Sequence, residues 1–103
     1  MKISLIITAG GSGSRFESTQ PKQFSEINNK SLLELSIEAF KSYTIQECIV
    51  TAPEAYLEPT QNLVKSINVP FLIQCVVGGE TRAESVKNAF VKLDPCNAVL
   101  IHD

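Results

Sequence analysis

The chain has few of the residues that build metal centres and disulfide frameworks. It contains no tryptophan, one histidine (His102) and three cysteines, Cys48, Cys75 and Cys96, with no C-x-x-C pair. An odd number of widely spaced cysteines fits neither a disulfide framework nor a zinc site. Cys48 and Cys75 lie within apolar runs, which favours reduced thiols in a protein core. Reduced thiols are typical of a reducing compartment, so we expect a cytoplasmic protein.

The sequence also lacks an excess of positive charge and any long apolar segment. The net charge is -2 and the pI is near 5.4, which argues against binding to nucleic acid or to an anionic membrane. The apolar start Ile3–Ile7 is too short for the hydrophobic region of a signal peptide, and no run approaches the length of a membrane span. We expect one domain over residues 1–103.

The first informative segment joins an apolar strand to a glycine-rich turn. The β-branched run Ile3–Thr8 predicts a buried strand, and the turn over residues 9–13 follows at once. Its three glycines let the backbone turn sharply and approach a phosphate closely, and Arg15 and Lys22 could converge on the same polyanion. The spacing excludes a P-loop and lacks the third glycine of a dinucleotide fingerprint. A structural turn with two solvated cations remains the alternative.

Strands and helices alternate along the rest of the chain. The predicted order is a helix opened by Ser31, a strand over Glu47–Ala52, an irregular stretch over residues 53–58, a short helix with Pro59 in its first turn, a strand over Phe71–Val77, a helix opened by Thr81 and a strand over Ala98–Ile101. The helix after Thr81 has a predicted apolar face of Val86, Ala89, Phe90 and Leu93. Such alternation implies an α/β fold with a mostly parallel sheet and helices on both faces.

The carboxyl ends of parallel strands share one edge of the sheet, and ligands of open α/β sheets bind there. This rule brings three segments together: Gly10–Arg15, Gly78–Ser85 and Asp103. Asp103 suits a Mg²⁺ or ribose ligand, because a hard cation prefers carboxylate oxygen. We interpret the neighbouring His102 as a packed residue at the strand end, since no partner in the sequence would orient it as a base.

The second glycine turn leads into a predicted helix N-terminus. Arg82 and Ser85 are one helical turn apart there, where free N–H groups and the helix dipole favour an electron-rich partner such as a base or sugar edge. The alternative is that Thr81 and Glu84 only cap the helix while Arg82 is solvated.

Four segments in this order and at these separations resemble one enzyme family, the 2-C-methyl-D-erythritol 4-phosphate cytidylyltransferases. They are Ala9–Arg15, Pro21–Gln23, Gly78–Val86 and Val99–Asp103. The glycine-arginine segment alone is shared with other sugar-phosphate nucleotidyltransferases, and close relatives that make CDP-ribitol share the whole pattern. A ribitol-5-phosphate cytidylyltransferase and a non-catalytic nucleotide-binding fragment are therefore the alternatives.

The resemblance implies a Rossmann-like, three-layer α/β/α fold that binds CTP and Mg²⁺. The phosphate of a polyol substrate would attack the α-phosphorus of CTP and release pyrophosphate. The implied roles are catalysis for Arg15 and Lys22, nucleotide binding for Ala9, Gly10, Gly11, Ser12, Gly13, Gly79, Glu80, Arg82 and Ser85, and metal binding for Asp103.

The chain departs from the family pattern in two respects. Gly10 replaces a second alanine that often precedes the loop glycine, a mild change that preserves the approach of the backbone. Family members are also roughly twice as long, and the resemblance implies that the remaining half holds the contacts to the substrate phosphate and the arm of a homodimer. We therefore expect this chain to carry the nucleotide side of the site, with turnover by the chain alone left open.

Overall fold

The four predicted strands and three predicted helices occur in the predicted order, and a short strand pair that was not predicted lies between the first strand and the first helix. The computed structural model describes residues 2–9, 26–27 and 30–102. The strands are β1 (Ile3–Thr8), β2 (Glu26–Ile27), β3 (Lys30–Ser31), β4 (Ile45–Ala52), β5 (Leu72–Val77) and β6 (Ala98–His102). The helices are α1 (Leu32–Glu38), α2 (Leu57–Lys65) and α3 (Arg82–Phe90), with a 3₁₀ helix over Glu54–Tyr56. Within these ranges, no helix is both long and apolar enough to cross a membrane.

The main sheet has four strands in the order β5-β4-β1-β6. All three pairings are parallel, so each connection crosses over the sheet. The strands β2 and β3 form a separate, short antiparallel pair. The predicted α/β fold with a mostly parallel sheet is therefore confirmed.

Alternate residues of β1 pack into two cores on opposite faces of the sheet. Leu5 and Ile7 face α1 and α2, where they join a cluster that includes the fully buried Ile37. Ile6 faces the other side and packs with Ala89 of α3. A strand covered on both faces needs a continuous apolar run, which is what the sequence of β1 provides. The result is three layers, with the sheet between helices.

The strands β5 and β6 each differ by one residue from the predicted bounds, and the larger differences lie at β4 and directly after it. The strand β4 begins at Ile45, two residues before the predicted Glu47. The stretch predicted to be irregular, residues 53–58, contains the 3₁₀ helix and the start of α2. The N–H of Tyr56 donates to the carbonyl of Pro53 at 2.8 Å, so the chain forms a helical turn immediately after the strand. Pro59 lies in the first turn of α2, as predicted.

One residue of the predicted apolar face of α3 is exposed. Ala89 is fully buried, whereas Phe90 is 55% exposed. Consecutive residues of a helix point about 100° apart, so a helix that presents Ala89 to the sheet directs Phe90 to its flank. The prediction for Phe90 was wrong because the spacing admitted a wider apolar stripe than the sheet covers.

The cysteines and the histidine have the structural roles expected of them. Burial raises the pKa of the Cys48 thiol to about 12, with a smaller contribution from Cys75, and burial raises the pKa of Cys75 to about 11. Both thiols are free and protonated at neutral pH, which makes them poor nucleophiles. The ring of His102 packs edge-on against Phe40 with 5.7 Å between centroids. The interpretation of His102 as a packed residue is thus confirmed.

A buried hydroxyl in α2 generates a stability prediction. Thr60 is fully buried, and its Oγ1 has no hydrogen-bond partner within the described part of the chain. A buried polar group without a partner destabilises a fold by about 1–3 kcal/mol. We expect Thr60→Val, which keeps the shape and removes the hydroxyl, to raise the free energy of unfolding by about 1 kcal/mol. Urea denaturation should show a higher midpoint with an unchanged m-value.

Thr60→Ser is the matched control, because it keeps the hydroxyl and removes the methyl group. We expect it to lower the midpoint, since it leaves a cavity around the same polar atom. A Thr60→Val protein less stable than the wild type would contradict the prediction.

Candidate functional site

Two neighbouring carbonyl groups at the end of β4 bind the residues that follow β1 and β5. The N–H of Ala9 donates to the carbonyl of Thr51 at 3.0 Å, and the N–H of Gly78 donates to that of Ala52 at 2.8 Å. Each bond extends the parallel pairing by one residue past the end of a strand. The starts of both glycine-rich segments therefore lie at the carboxyl edge of the sheet, on either side of β4.

Side chains of α3 hold the turn that follows β5. The N–H of Gly79 donates to Oγ of Ser85 at 3.0 Å, and the N–H of Glu80 donates to a carboxylate oxygen of Glu84 at 3.3 Å. The side-chain amide of Asn88 donates to the carbonyl of Val77 at 3.2 Å. The turn thus runs along one face of the first two turns of α3.

Thr81 caps the N-terminus of α3. Its Oγ1 accepts from the N–H of Glu84 at 3.1 Å, and its carbonyl accepts from the N–H of Ser85 at 3.0 Å. Only half of the predicted capping box forms, because the Glu84 carboxylate reaches back to the N–H of Glu80 and not to that of Thr81. Arg82 is the first residue of the helix and is exposed.

The turn approaches α3 so closely that a glycine is required at position 79. A Cβ atom on Gly79 would lie 2.2 Å from Cβ of Glu84, and one on Gly78 would lie 2.9 Å from Oγ of Ser85. The first contact is far below van der Waals separation, so Gly79 cannot carry a side chain without moving the turn.

The hydrogen bonds of the turn determine what it can offer to a ligand. The N–H groups of Gly78, Gly79 and Glu80 all donate within the protein. Among the described residues, none donates to the carbonyl oxygens of these three residues, so the carbonyl oxygens are the main-chain groups that this segment can offer as acceptors. Ser85 accepts from Gly79 and can still donate through its own hydroxyl hydrogen. An adjacent guanidinium group, that of Arg82, adds positive charge at the same edge.

The structure describes five of the predicted site residues and gathers them at one edge. They are Ala9, Gly79, Glu80, Arg82 and Ser85. The other seven lie outside the described residues: Gly10, Gly11, Ser12, Gly13, Arg15, Lys22 and Asp103. Within the described ranges, no cluster of three or more His, Cys, Asp or Glu side chains could hold a metal ion.

Sequence reasoning missed two residues that shape this edge. Asn88 and Glu84 each bind the main chain of the turn, yet neither was a candidate site residue. Asn88 could have been found, because asparagine disfavours a helix interior unless its amide has a partner, and it lies three positions after Ser85 on the same face.

A groove of about 340 Å³ lies away from these residues. The groove lies against the first residues of β4 and β5 and the segment after α3. Its lining includes Glu47, Leu72, Gln74, Lys92 and Asp94. The Glu47 carboxylate there accepts from the N–H of Asp94 at 2.8 Å and from Gln46 at 3.3 Å. This carboxylate links β4 to the segment after α3, so it has a structural role, and the groove contains none of the predicted site residues.

The sheet order and the two glycine-rich segments at its carboxyl edge define a Rossmann-like, three-layer α/β protein. The sequence model of the 2-C-methyl-D-erythritol 4-phosphate cytidylyltransferase family matches residues 3–103. The chain belongs to this family, and the resemblance seen in the motifs is confirmed.

Curated relatives support the same assignment. The chain is 39% identical over 99 residues to the 2-C-methyl-D-erythritol 4-phosphate cytidylyltransferase of Clostridium tetani, covering 95% of this chain and 40% of the relative. It is 41% identical over 102 residues to the enzyme of the same name from Actinobacillus pleuropneumoniae serotype 7, covering 99% of this chain and 44% of the relative. The chain thus spans less than half the length of these relatives, and their names do not favour the ribitol-phosphate alternative.

A solved structure shows the same fold. The 4-diphosphocytidyl-2C-methyl-D-erythritol synthase from Anaerococcus prevotii superposes with a TM-score of 0.75 at 28% identity. The match covers 98% of this chain and 42% of that one. The similarity therefore extends over nearly the whole chain.

The close approach of Gly79 to α3 generates a prediction. We expect Gly79→Ala to lower the free energy of unfolding by about 1–3 kcal/mol, because the added Cβ meets the backbone-proximal part of Glu84. Gly78→Ala is the matched control, since its nearest contact is the Ser85 hydroxyl, which can rotate away. Urea denaturation of the two variants should show the larger loss for Gly79→Ala. Equal losses would mean that the contact with Glu84 does not limit the position of the turn.

Proposed function

We propose that the chain is the CTP-binding portion of a methylerythritol-phosphate cytidylyltransferase. Such an enzyme transfers CMP from CTP to 2-C-methyl-D-erythritol 4-phosphate in the synthesis of isoprenoid precursors by the non-mevalonate pathway. The observation that carries the proposal is the anchoring of Ala9 and Gly78 to adjacent carbonyl groups of β4. This anchoring sets the start of a phosphate-type glycine loop and a turn that can read a base at the same edge of the sheet, on either side of β4.

The acceptor character of the turn supports cytosine as the base. With the N–H groups of Gly78–Glu80 engaged inside the protein, their carbonyl oxygens are available to accept from an amino group. Cytosine carries an exocyclic amino donor where uracil carries a carbonyl oxygen, which would face these acceptors with like polarity. A site that pairs with a donor rejects the analogue that lacks it, because its own polar groups are then left unpaired.

The glycine loop and the two cations are assigned to the triphosphate. Residues 10–13 supply the loop, and Arg15 and Lys22 supply the positive charge. An oxygen of the substrate phosphate forms a bond to the α-phosphorus of CTP, and the bond from that phosphorus to the bridging oxygen breaks as pyrophosphate leaves. This chemistry depends on positioning and charge neutralisation, which the loop and the two cations are suited to provide.

Mg²⁺ is proposed as the cofactor, with Asp103 as its protein ligand. In the sequence, Asp103 directly follows His102, the last residue of β6. The strand β6 pairs with β1. One or two carboxylates with nucleotide phosphates are the usual ligands of protein-bound Mg²⁺. The ion would neutralise charge on the phosphates when bound.

The rest of the proposal concerns the partners of the whole enzyme. The second substrate is a polyol phosphate, with methylerythritol phosphate favoured over ribitol phosphate by the names of the relatives. A cytoplasmic homodimer is proposed for the full-length enzyme. Pyrophosphate release with each polyol phosphate tests the choice of substrate, and release with ribitol phosphate alone would overturn it. CTP binding without turnover would favour the non-catalytic alternative for this chain.

Base selection is tested by comparing CTP with UTP. Isothermal titration calorimetry of the chain with each nucleotide and Mg²⁺ should give a dissociation constant for CTP that is lower by at least about tenfold, the equivalent of one well-placed hydrogen bond to a donor. CMP and UMP serve as controls, because they retain the base and lack the polyphosphate. Equal affinity for CTP and UTP would contradict a role for the turn in reading the base.

The assignment of Arg15 and Lys22 is tested by charge removal. Arg15→Ala and Lys22→Ala should each weaken CTP binding by about ten- to a hundredfold, the effect of losing a charge-assisted hydrogen bond. Lys65→Ala is the matched control, because Lys65 is an exposed cation in the last turn of α2, the helix that leads from the carboxyl end of β4 back to the start of β5. If both variants bound CTP like the wild type, the two cations would be ordinary surface charges.

A further inference from the structure

The peptide unit between Val77 and Gly78 is held from two sides. Its N–H, on Gly78, donates to the carbonyl of Ala52 in the sheet at 2.8 Å. Its carbonyl, on Val77, accepts from the side-chain amide of Asn88 on α3 at 3.2 Å. Among the described strands, β5 is at the edge of the sheet, so this carbonyl points away from β4 and none of those strands bonds it. Asn88 supplies the partner that the missing strand cannot.

The position of this peptide unit matters because two glycines follow it. Gly78 and Gly79 have the widest backbone freedom of any residues, and the direction of the chain through them depends on the unit that precedes them. Beyond Gly78, the N–H groups of Gly79 and Glu80 bind Ser85 and Glu84. Asn88 therefore holds the start of the turn, the part that sets the direction of the chain through the two glycines.

Asn88 has little to contribute to α3 itself. Asparagine is a poorer helix former than alanine in a helix interior. The side chain is exposed, and the core contact of this part of α3 is made by the neighbouring Ala89. Its amide group therefore acts on the turn more than on the stability of the helix.

We propose that Asn88 is a positioning residue of the base-reading turn. By bonding the Val77 carbonyl, it holds the 77–78 peptide unit so that the carbonyl oxygens of Gly78–Glu80 face the ligand. The proposal rests on the proposed CTP site and adds to it a residue that touches no substrate. Loss of the amide lets the turn occupy other conformations, and affinity falls in proportion to the population that remains competent.

The first measurement is amide hydrogen exchange in the absence of nucleotide. In Asn88→Ala, exchange at Gly79 and Glu80 should be faster by about fivefold, the effect of losing one neutral hydrogen bond. The urea midpoint should be unchanged or slightly higher, because alanine favours the helix. Lys87→Ala is the matched control: it truncates the neighbouring exposed side chain of α3, which makes no polar contact within the described residues, and it should leave exchange at the turn unchanged.

The second measurement is nucleotide affinity. Asn88→Ala should weaken CTP binding by about fivefold and narrow its preference over UTP, while Lys87→Ala should change neither. Unchanged exchange at Gly79 and Glu80, or faster exchange spread evenly over the chain, would overturn the role of Asn88. Because exchange is measured without nucleotide, a wild-type chain that bound no CTP would sink the proposed function and leave the exchange result to decide on Asn88.

Discussion

Two adjacent carbonyl groups, those of Thr51 and Ala52, are the point on which the rest of the structure depends. They accept from the N–H groups of Ala9 and Gly78. The segments that follow β1 and β5 therefore start at nearly the same height along β4, one residue apart. This arrangement requires β4 to lie between the two strands and to run parallel to both. The two cores hold the sheet in this arrangement, because alternate residues of β1 are buried against helices on opposite faces.

The second glycine turn shows how a flexible segment can be given one conformation. Its backbone is bonded at three successive points to Asn88, Ser85 and Glu84, which lie along a single face of α3. A turn held in this way would lose little conformational entropy on binding a ligand, so less of the interaction free energy would be spent on ordering the turn. Its N–H groups donate inside the protein, which leaves the carbonyl oxygens of the turn as the groups it can offer.

Much of the fold was predictable from sequence because burial on both faces leaves a strong apolar signal. The strand β1 and the Ser31 and Thr81 caps were predicted where they occur, since each depends on a few neighbouring residues. The 3₁₀ helix after Pro53 was missed, because so short a helix has no apolar periodicity. Phe90 was misassigned because helical spacing cannot show how wide a sheet lies beneath the helix.

The sequence by itself determined the family, the alternation of strands and helices, and the chemical types of the site residues, because these depend on motifs and local periodicity. Only the tertiary structure decided the strand order β5-β4-β1-β6, which places Ala9 and Gly78, 69 positions apart in the chain, on either side of the end of β4. It also decided which groups of the second turn are already bonded, since the N–H groups of Gly78, Gly79 and Glu80 all donate within the protein. Hydrogen bonds between distant residues depend on packing, and no local pattern in the sequence encodes them.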